Sequence, residues 1–191
     1  MIYHPAYNLV KLTSKIFFPI TVHGYEHVPR RGAFIIASNH RSYIDPLILG
    51  LSSRRRLSYV AKAEIFKNKM FAWVLHEVGA FPIQRHAADL KALKEALRRL
   101  KGGSPLVVFP EGTRLSESKK VNPGVGFLAA KSGVPILPAF IHGSEGVLPP
   151  GAKFLRRHPV TVRFGNPVTI PAGKPYSAAA EDIIARIREL A

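Results

Sequence analysis

The chain has 191 residues, 47% of them hydrophobic and 21% charged, which fits one globular domain and excludes a disordered or fibrous chain. It has no cysteine, which excludes disulfides, thiolate metal sites and a cysteine acyl-enzyme. Lys and Arg number 28 against 12 Asp and Glu, a formal net charge of +16, so the partners it favours are anionic: phospholipid headgroups, phosphorylated small molecules, an acidic carrier protein or nucleic acid.

In chain order, residues 5–19 come first. Leu9, Leu12, Ile16 and Phe17 recur near helical spacing beside Lys11 and Lys15, the pattern of a basic amphipathic helix. Such a helix either lies in the headgroup layer or packs on its own domain, and amphipathicity is common to both. No run approaches the roughly 18 apolar residues of a spanning helix. His4 and Pro5 break the pattern of a secretory leader, so membrane contact is expected to be peripheral. Residues 1–19 therefore read as a membrane-associating segment and residues 20–191 as the domain proper.

Within that domain, short apolar runs alternate with helical patterns, which predicts a single α/β domain with a mostly parallel or mixed sheet flanked by helices. Strands are expected at 33–38, 57–61, 80–84, 106–109, 136–141 and 160–164. The first five are apolar along most of their length, as in strands covered on both faces. Val160, Val162 and Phe164 alternate with Thr161 and Arg163, so the sixth shows one face to solvent or lies at an edge. Helices are expected at 45–52, with Pro46 in the first turn, at 68–78 and at 87–101. The last of these carries Leu90, Leu93, Leu97 and Leu100 along its core face, and Gly102-Gly103 ends it. Two more are expected, at 125–131 and at the C-terminus, where Ser177 reads as the cap of a helix bearing Ile183, Ile184, Ile187 and Leu190.

The segment Ser38-Asn39-His40-Arg41-Ser42-Tyr43-Ile44-Asp45 breaks this alternation. A buried-type strand delivers His40 just past its end, where open α/β sheets place their clefts. Asp45 shares the same short loop, so its carboxylate can accept a hydrogen bond from the imidazole, fix its tautomer and leave the other nitrogen as a base. Ser42 lies nearby but lacks the Gly-x-Ser-x-Gly elbow that exposes a nucleophile. Three further segments follow or begin apolar strands: Gly79 to Arg85, Phe109 to Arg114, and Val134 to Pro138. Within them Glu111 accepts hydrogen bonds from hydroxyls, and Arg114 offers a planar donor fork for phosphate. The other histidines show no metal-ligand spacing, and no array of aromatic and basic residues suits nucleic acid.

These four segments together resemble the lysophosphatidate (1-acylglycerol-3-phosphate) acyltransferase family and its glycerolipid acyltransferase relatives. Asn39, His40 and Asp45 match the family's Asn-His-x4-Asp motif, and Gly79 to Arg85 match its second motif. Phe109 to Arg114 match its Phe-Pro-Glu-Gly-Thr-Arg motif completely, and Val134 to Pro138 match its fourth. All four come in family order. One departure is Lys119-Lys120-Val121-Asn122-Pro123-Gly124, where many relatives carry Phe-Lys-Lys/Arg-Gly; it bears on the acceptor headgroup rather than on the reaction.

The resemblance implies an O-acyltransferase that moves a fatty acyl group from acyl-CoA or acyl-carrier protein to the free hydroxyl of a lysophospholipid. The favoured acceptor is 1-acyl-glycerol-3-phosphate, giving phosphatidate, with another lyso-lipid or glycerol 3-phosphate as alternatives. A non-catalytic basic lipid-binding protein is the contrasting class. It further implies His40 and Asp45 as the catalytic pair, with Lys62, Arg85 and Arg114 on the acceptor phosphate and Glu111, Gly112 and Thr113 shaping the glycerol subsite. The same resemblance implies no cofactor and no metal, an anionic membrane surface as partner, and peripheral residence on the cytoplasmic face of a membrane.

Overall fold

A computed structural model describes residues 12, 14–67, 72–73, 76, 79–83, 90–111, 123–149, 152, 154–171 and 173–191. Seven strands form one sheet: β1 (Ile20–His23), β2 (Ile35–Ser38), β3 (Ser58–Lys62), β4 (Ala80–Ile83), β5 (Leu106–Val108), β6 (Ile136–His142) and β7 (Val160–Phe164). Their order is β1-β7-β6-β2-β5-β3-β4. From β6 through β4 every pairing is parallel. β7 turns the direction over, running antiparallel to β6 and parallel to β1. The C-terminal ends of β2, β3, β4, β5 and β6 therefore share one edge of the sheet.

The helices are α1 (Asp45–Ser53), α2 (Leu90–Lys101), α3 (Gly124–Ser132), α4 (Ser144–Val147) and α5 (Tyr176–Arg188). They divide the core in two. On one face Ile36, Leu137 and Val162 pack against Ile48 and Leu49 of α1, Val147 of α4 and Phe18. On the other, Ile35, Ala37 and Ile136 meet α2, α3 and α5. β2, sandwiched at the centre, is buried at all four positions, which is why its sequence is apolar without alternation.

Two prolines sit inside strands without breaking the ladder. Pro82 lies on β4, which pairs only with β3 at the sheet's margin. Pro138 lies on β6, between β2 and β7. Its side of the strand is the one on which Ile136 exchanges hydrogen bonds with Val168. β7 ends at Phe164, opposite Ala139, and Gly165 N–H donates to the Pro138 carbonyl at 2.9 Å, so the ladder is already opening where the proline has no N–H to give.

The expected α/β domain is present, with differences in detail, among them the short helix α4, which was not expected. Ser177 is not the cap of the last helix: α5 begins at Tyr176 behind Pro175, whose extended backbone (φ −55°, ψ 136°) and carbonyl, accepting from Ala179, start the helix without a side-chain cap. α2 does not bury its leucine stripe as a whole. Ala92, Ala96 and Leu100 form the buried face, Leu93 and Leu97 pack at its edge, and Leu90 is 64% exposed. β1 was not expected: only two of its four residues are apolar, and their burial alternates at the sheet margin. β7 does show one face to solvent, though it lies inside the sheet. Most of the helix expected at 68–78, and residues 1–11 of the N-terminal segment, lie outside the described residues.

Close helix contact on the second face depends on one glycine. A Cβ on Gly126 of α3 would come within 2.0 Å of the Tyr176 carbonyl oxygen at the start of α5, so the two helices meet backbone to backbone.

Candidate active site

β2 ends at Ser38, and the next residue is clamped. Asn39 Nδ2 donates to the Ile141 carbonyl at 2.8 Å, and Ile141 N–H donates to Asn39 Oδ1 at 2.7 Å. The side-chain amide thus imitates a strand residue and extends the β2–β6 ladder one step past the end of β2. Both partners are buried. This fixes the point from which the His40 loop departs.

The loop then folds around one carboxylate oxygen. Asp45 Oδ2 accepts from His40 Nδ1 at 2.8 Å, from Arg41 N–H at 2.7 Å and from Ser42 N–H at 2.8 Å. Asp45 opens α1 and is fully buried, and its Oδ1 has no hydrogen-bond partner among the described residues. Two backbone donors hold the carboxylate in place before the histidine contributes anything. Its negative charge also lies at the N-terminal end of α1, where the helix dipole favours it. With Nδ1 bound to the carboxylate, Nδ1 carries the proton and Nε2 presents its lone pair.

A third element fixes the plane of the ring. Phe109, just past the end of β5, stacks on His40 with centroids 4.1 Å apart and planes 18° from parallel. β5 is the neighbour of β2, with Ala37 paired to Val108, so adjacent strand ends deliver the two rings. The imidazole is therefore held at one edge by Asp45 and on one face by Phe109. Sequence reasoning placed Asn39 and Phe109 in motifs but gave neither a task. The signal for Asn39 was a carboxamide directly after a buried strand, and for Phe109 an aromatic ring leaving the neighbouring one.

Glu111 comes next but one after Phe109, beyond the end of β5, and is partly buried. Lys62 is the last residue of β3, so its backbone lies at the same sheet edge. The structure thus gathers His40, Asp45, Glu111 and the Lys62 position along one edge, while Arg85, Gly112, Thr113 and Arg114 lie outside the described residues. Ser42 is 2% exposed, its N–H is bound to Asp45, and its Oγ points to the Leu148 carbonyl at 3.4 Å. A residue so enclosed is poorly placed to act as a nucleophile. A cavity of about 370 Å³ opens at the opposite edge, at the N-terminal ends of β3, β4 and β5. Arg99 there donates to the Gly79 carbonyl and Arg55 to the carbonyls of Pro29 and Gly32, so this cavity is remote from the histidine and its arginines brace loops.

With this geometry in hand, residues 19–142, more than half of the chain, match the acyltransferase family model. The chain belongs to the acyltransferase family. It is similar to the 1-acyl-sn-glycerol-3-phosphate acyltransferase of Bacillus subtilis, at 27% identity over 96% of this chain and 94% of the relative. The enzyme of the same description from Streptococcus pneumoniae is 30% identical over 78% of this chain and 55% of its own length. The crystal structure of the 1-acyl-sn-glycerophosphate acyltransferase from Thermotoga maritima superposes with a TM-score of 0.72 at 28% identity, covering 96% of this chain and 78% of that one. The matched segment of this O-acyltransferase spans β1 to β6 and so includes the His40 loop and the strand that clamps it.

Proposed function

We propose that this acyltransferase transfers a fatty acyl group from a thioester carrier, acyl-CoA or acyl-carrier protein, to the free hydroxyl of 1-acyl-glycerol-3-phosphate, giving phosphatidate. His40 Nε2 accepts the hydroxyl proton as the oxygen attacks the thioester carbonyl. The tetrahedral intermediate then collapses with loss of the carrier thiolate, which takes the proton from the imidazolium. Asp45 keeps the tautomer and offsets the positive charge while the ring is protonated. The Arg41 and Ser42 N–H groups already donate to Asp45, so donors for the oxyanion come from elsewhere. Lys62, Arg85 and Arg114 bind the acceptor phosphate, and Glu111, Gly112 and Thr113 form the glycerol subsite. The reaction needs no metal or cofactor beyond the thioester. The protein works at the cytoplasmic face of a membrane, with residues 1–19 as its attachment.

The observation that carries this reading is the hydrogen bond from His40 Nδ1 to Asp45 Oδ2 at a sheet edge shared with the Phe109–Glu111 segment. The names of the relatives supply the acceptor. The test is thiol release from acyl-CoA against a panel of lyso-lipids and glycerol 3-phosphate. Release is expected to depend on 1-acyl-glycerol-3-phosphate and to fall by at least about a thousandfold in His40→Ala. Release with no acceptor preference, or a His40→Ala enzyme of ordinary rate, sinks the proposal.

A further inference from the structure

The described part of the N-terminal segment turns three of its apolar residues, Leu12, Ile16 and Phe17, away from the domain. Leu12 is 61% and Ile16 58% exposed, and Phe17 is also exposed, while Ser14 and Phe18 face inward. A second stretch, distant in sequence, does the same beside it. Phe154 is 83% exposed, the largest exposure of any large apolar residue described, and Leu155 is 39% exposed. Exposed Arg156 and Arg157 follow directly.

The two stretches are joined. His158 N–H donates to the Phe17 carbonyl at 3.0 Å, and Arg156 N–H donates to the Val147 carbonyl at the end of α4 at 2.8 Å. The His158 ring lies against Gly146, where a Cβ would come within 2.5 Å of it. The loop is thus fastened at its base while its apolar tip projects. From α4 the connection continues to the site: Leu148 receives the Ser42 hydroxyl, and Ser42 N–H binds Asp45. Tyr43, within the His40 loop, is 70% exposed.

We propose that the loop of residues 154–157 is a second bilayer-docking element, which with residues 12–17 seats the protein on an anionic membrane with the His40 loop beside the lipid surface. Apolar side chains at a tip enter the acyl boundary, and arginines one and two residues behind them sit at the depth of lipid phosphates. On the helical side exposed Lys15 adjoins Ile16 and Phe17, and the net charge of +16 suits an anionic leaflet. The proposal rests on the lipid-acceptor reading above, since a lyso-lipid embedded in the leaflet then reaches His40 without crossing water.

The test compares the full chain with F154D/L155D and R156E/R157E. Partition is measured by co-sedimentation with phosphatidylcholine vesicles, with and without phosphatidylglycerol, and thiol release is measured in parallel on detergent-dispersed acceptor. F154D/L155D is expected to lose roughly tenfold or more in vesicle affinity while keeping detergent-phase release within about twofold. R156E/R157E is expected to weaken only on vesicles containing phosphatidylglycerol. Unchanged partition of F154D/L155D overturns the proposal. So does intact vesicle binding coupled to lost binding of an acidic carrier protein, which would make this a protein-docking face. Should F154D/L155D melt well below the parent, R156E/R157E decides, and its unchanged partition onto anionic vesicles overturns the proposal. Vesicle binding by the parent without thiol release on any acceptor refutes the transferase reading instead and leaves the docking result standing.

Discussion

At the candidate site a single oxygen of Asp45 receives three N–H groups and the other receives none among the described residues. An asparagine there has one orientation open to it. Its carbonyl must take the place of Oδ2, because an amide nitrogen would confront the Arg41 and Ser42 donors. The imidazole would then keep its tautomer and lose the charge that balances its protonated form. Asp45→Asn is therefore expected to lower kcat by roughly 10²- to 10⁴-fold with a much smaller change in KM, measured by thiol release at saturating acceptor. Near-parental turnover would show that the carboxylate only shapes the loop. Ser42→Ala removes only a long 3.4 Å contact to Leu148, so turnover should stay within about threefold. A trapped acyl-Ser42 would contradict this. The histidine and aspartate were legible in the sequence because they share six residues of one loop. The convergence on a single oxygen is a matter of loop geometry, and the Phe109 ring on the imidazole face depends on the pairing of β2 with β5, which no local pattern encodes.

At the scale of elements, two polar contacts hold the architecture, one beside the site and one at the opposite edge of the sheet. Asn39 closes the β2–β6 ladder from a side chain, and Asn39→Ala would leave both the N–H and the carbonyl of buried Ile141 without their partners. The expected cost is about 2–3 kcal/mol. That corresponds to a melting temperature lower by roughly 4–12 °C. A melt within a degree or two of the parent would show that the clamp is dispensable. On α2, Glu95 binds Arg98 and Arg99, and Arg99 continues to the Gly79 carbonyl and lies over the Phe81 ring of β4. The Arg98 hydrogen bonds, with that of Arg99, hold the Glu95 carboxyl down at about 2, well below its usual 4.5. A depressed folded-state value stabilises the fold above the unfolded value near 4.5 and loses that contribution as pH falls towards 2. Glu95→Gln should therefore lower the melting temperature at pH 7, by an amount equivalent to less than about 1 kcal/mol because the pair is solvent-screened, and make little difference near pH 2. A pH-independent difference between the two proteins would assign the effect to packing. The helix itself was legible from its period, but its buried face was not. Leucine spacing pointed to Leu90, whereas the smaller Ala92 and Ala96 let the helix approach the sheet.

For the whole molecule, the sequence made the α/β class and the order of the motifs readable, because parallel strands must alternate with helices and so return every strand end to one edge. The reversal at β7 and the presence of β1 were not readable. Both depend on long-range pairing of short strands, one of which has only two apolar residues. Composition carried a further signal that belongs to no single element, the net charge of +16. If that charge draws the protein to anionic lipid, attraction should weaken as the Debye length shrinks from about 10 Å at 0.1 M salt to about 3 Å at 1 M. Partition onto phosphatidylglycerol-containing vesicles is therefore expected to fall by roughly tenfold or more across that range, since each basic residue near the surface contributes about 1 kcal/mol at low salt. The apolar contribution of Leu12, Ile16, Phe17, Phe154 and Leu155 opposes this trend, because burial of apolar surface is not screened by salt. Vesicles of phosphatidylcholine alone should accordingly bind more weakly and with little salt dependence. Equal partition onto both vesicle types at every ionic strength would mean that the charge serves solubility and that the apolar rim alone meets the membrane.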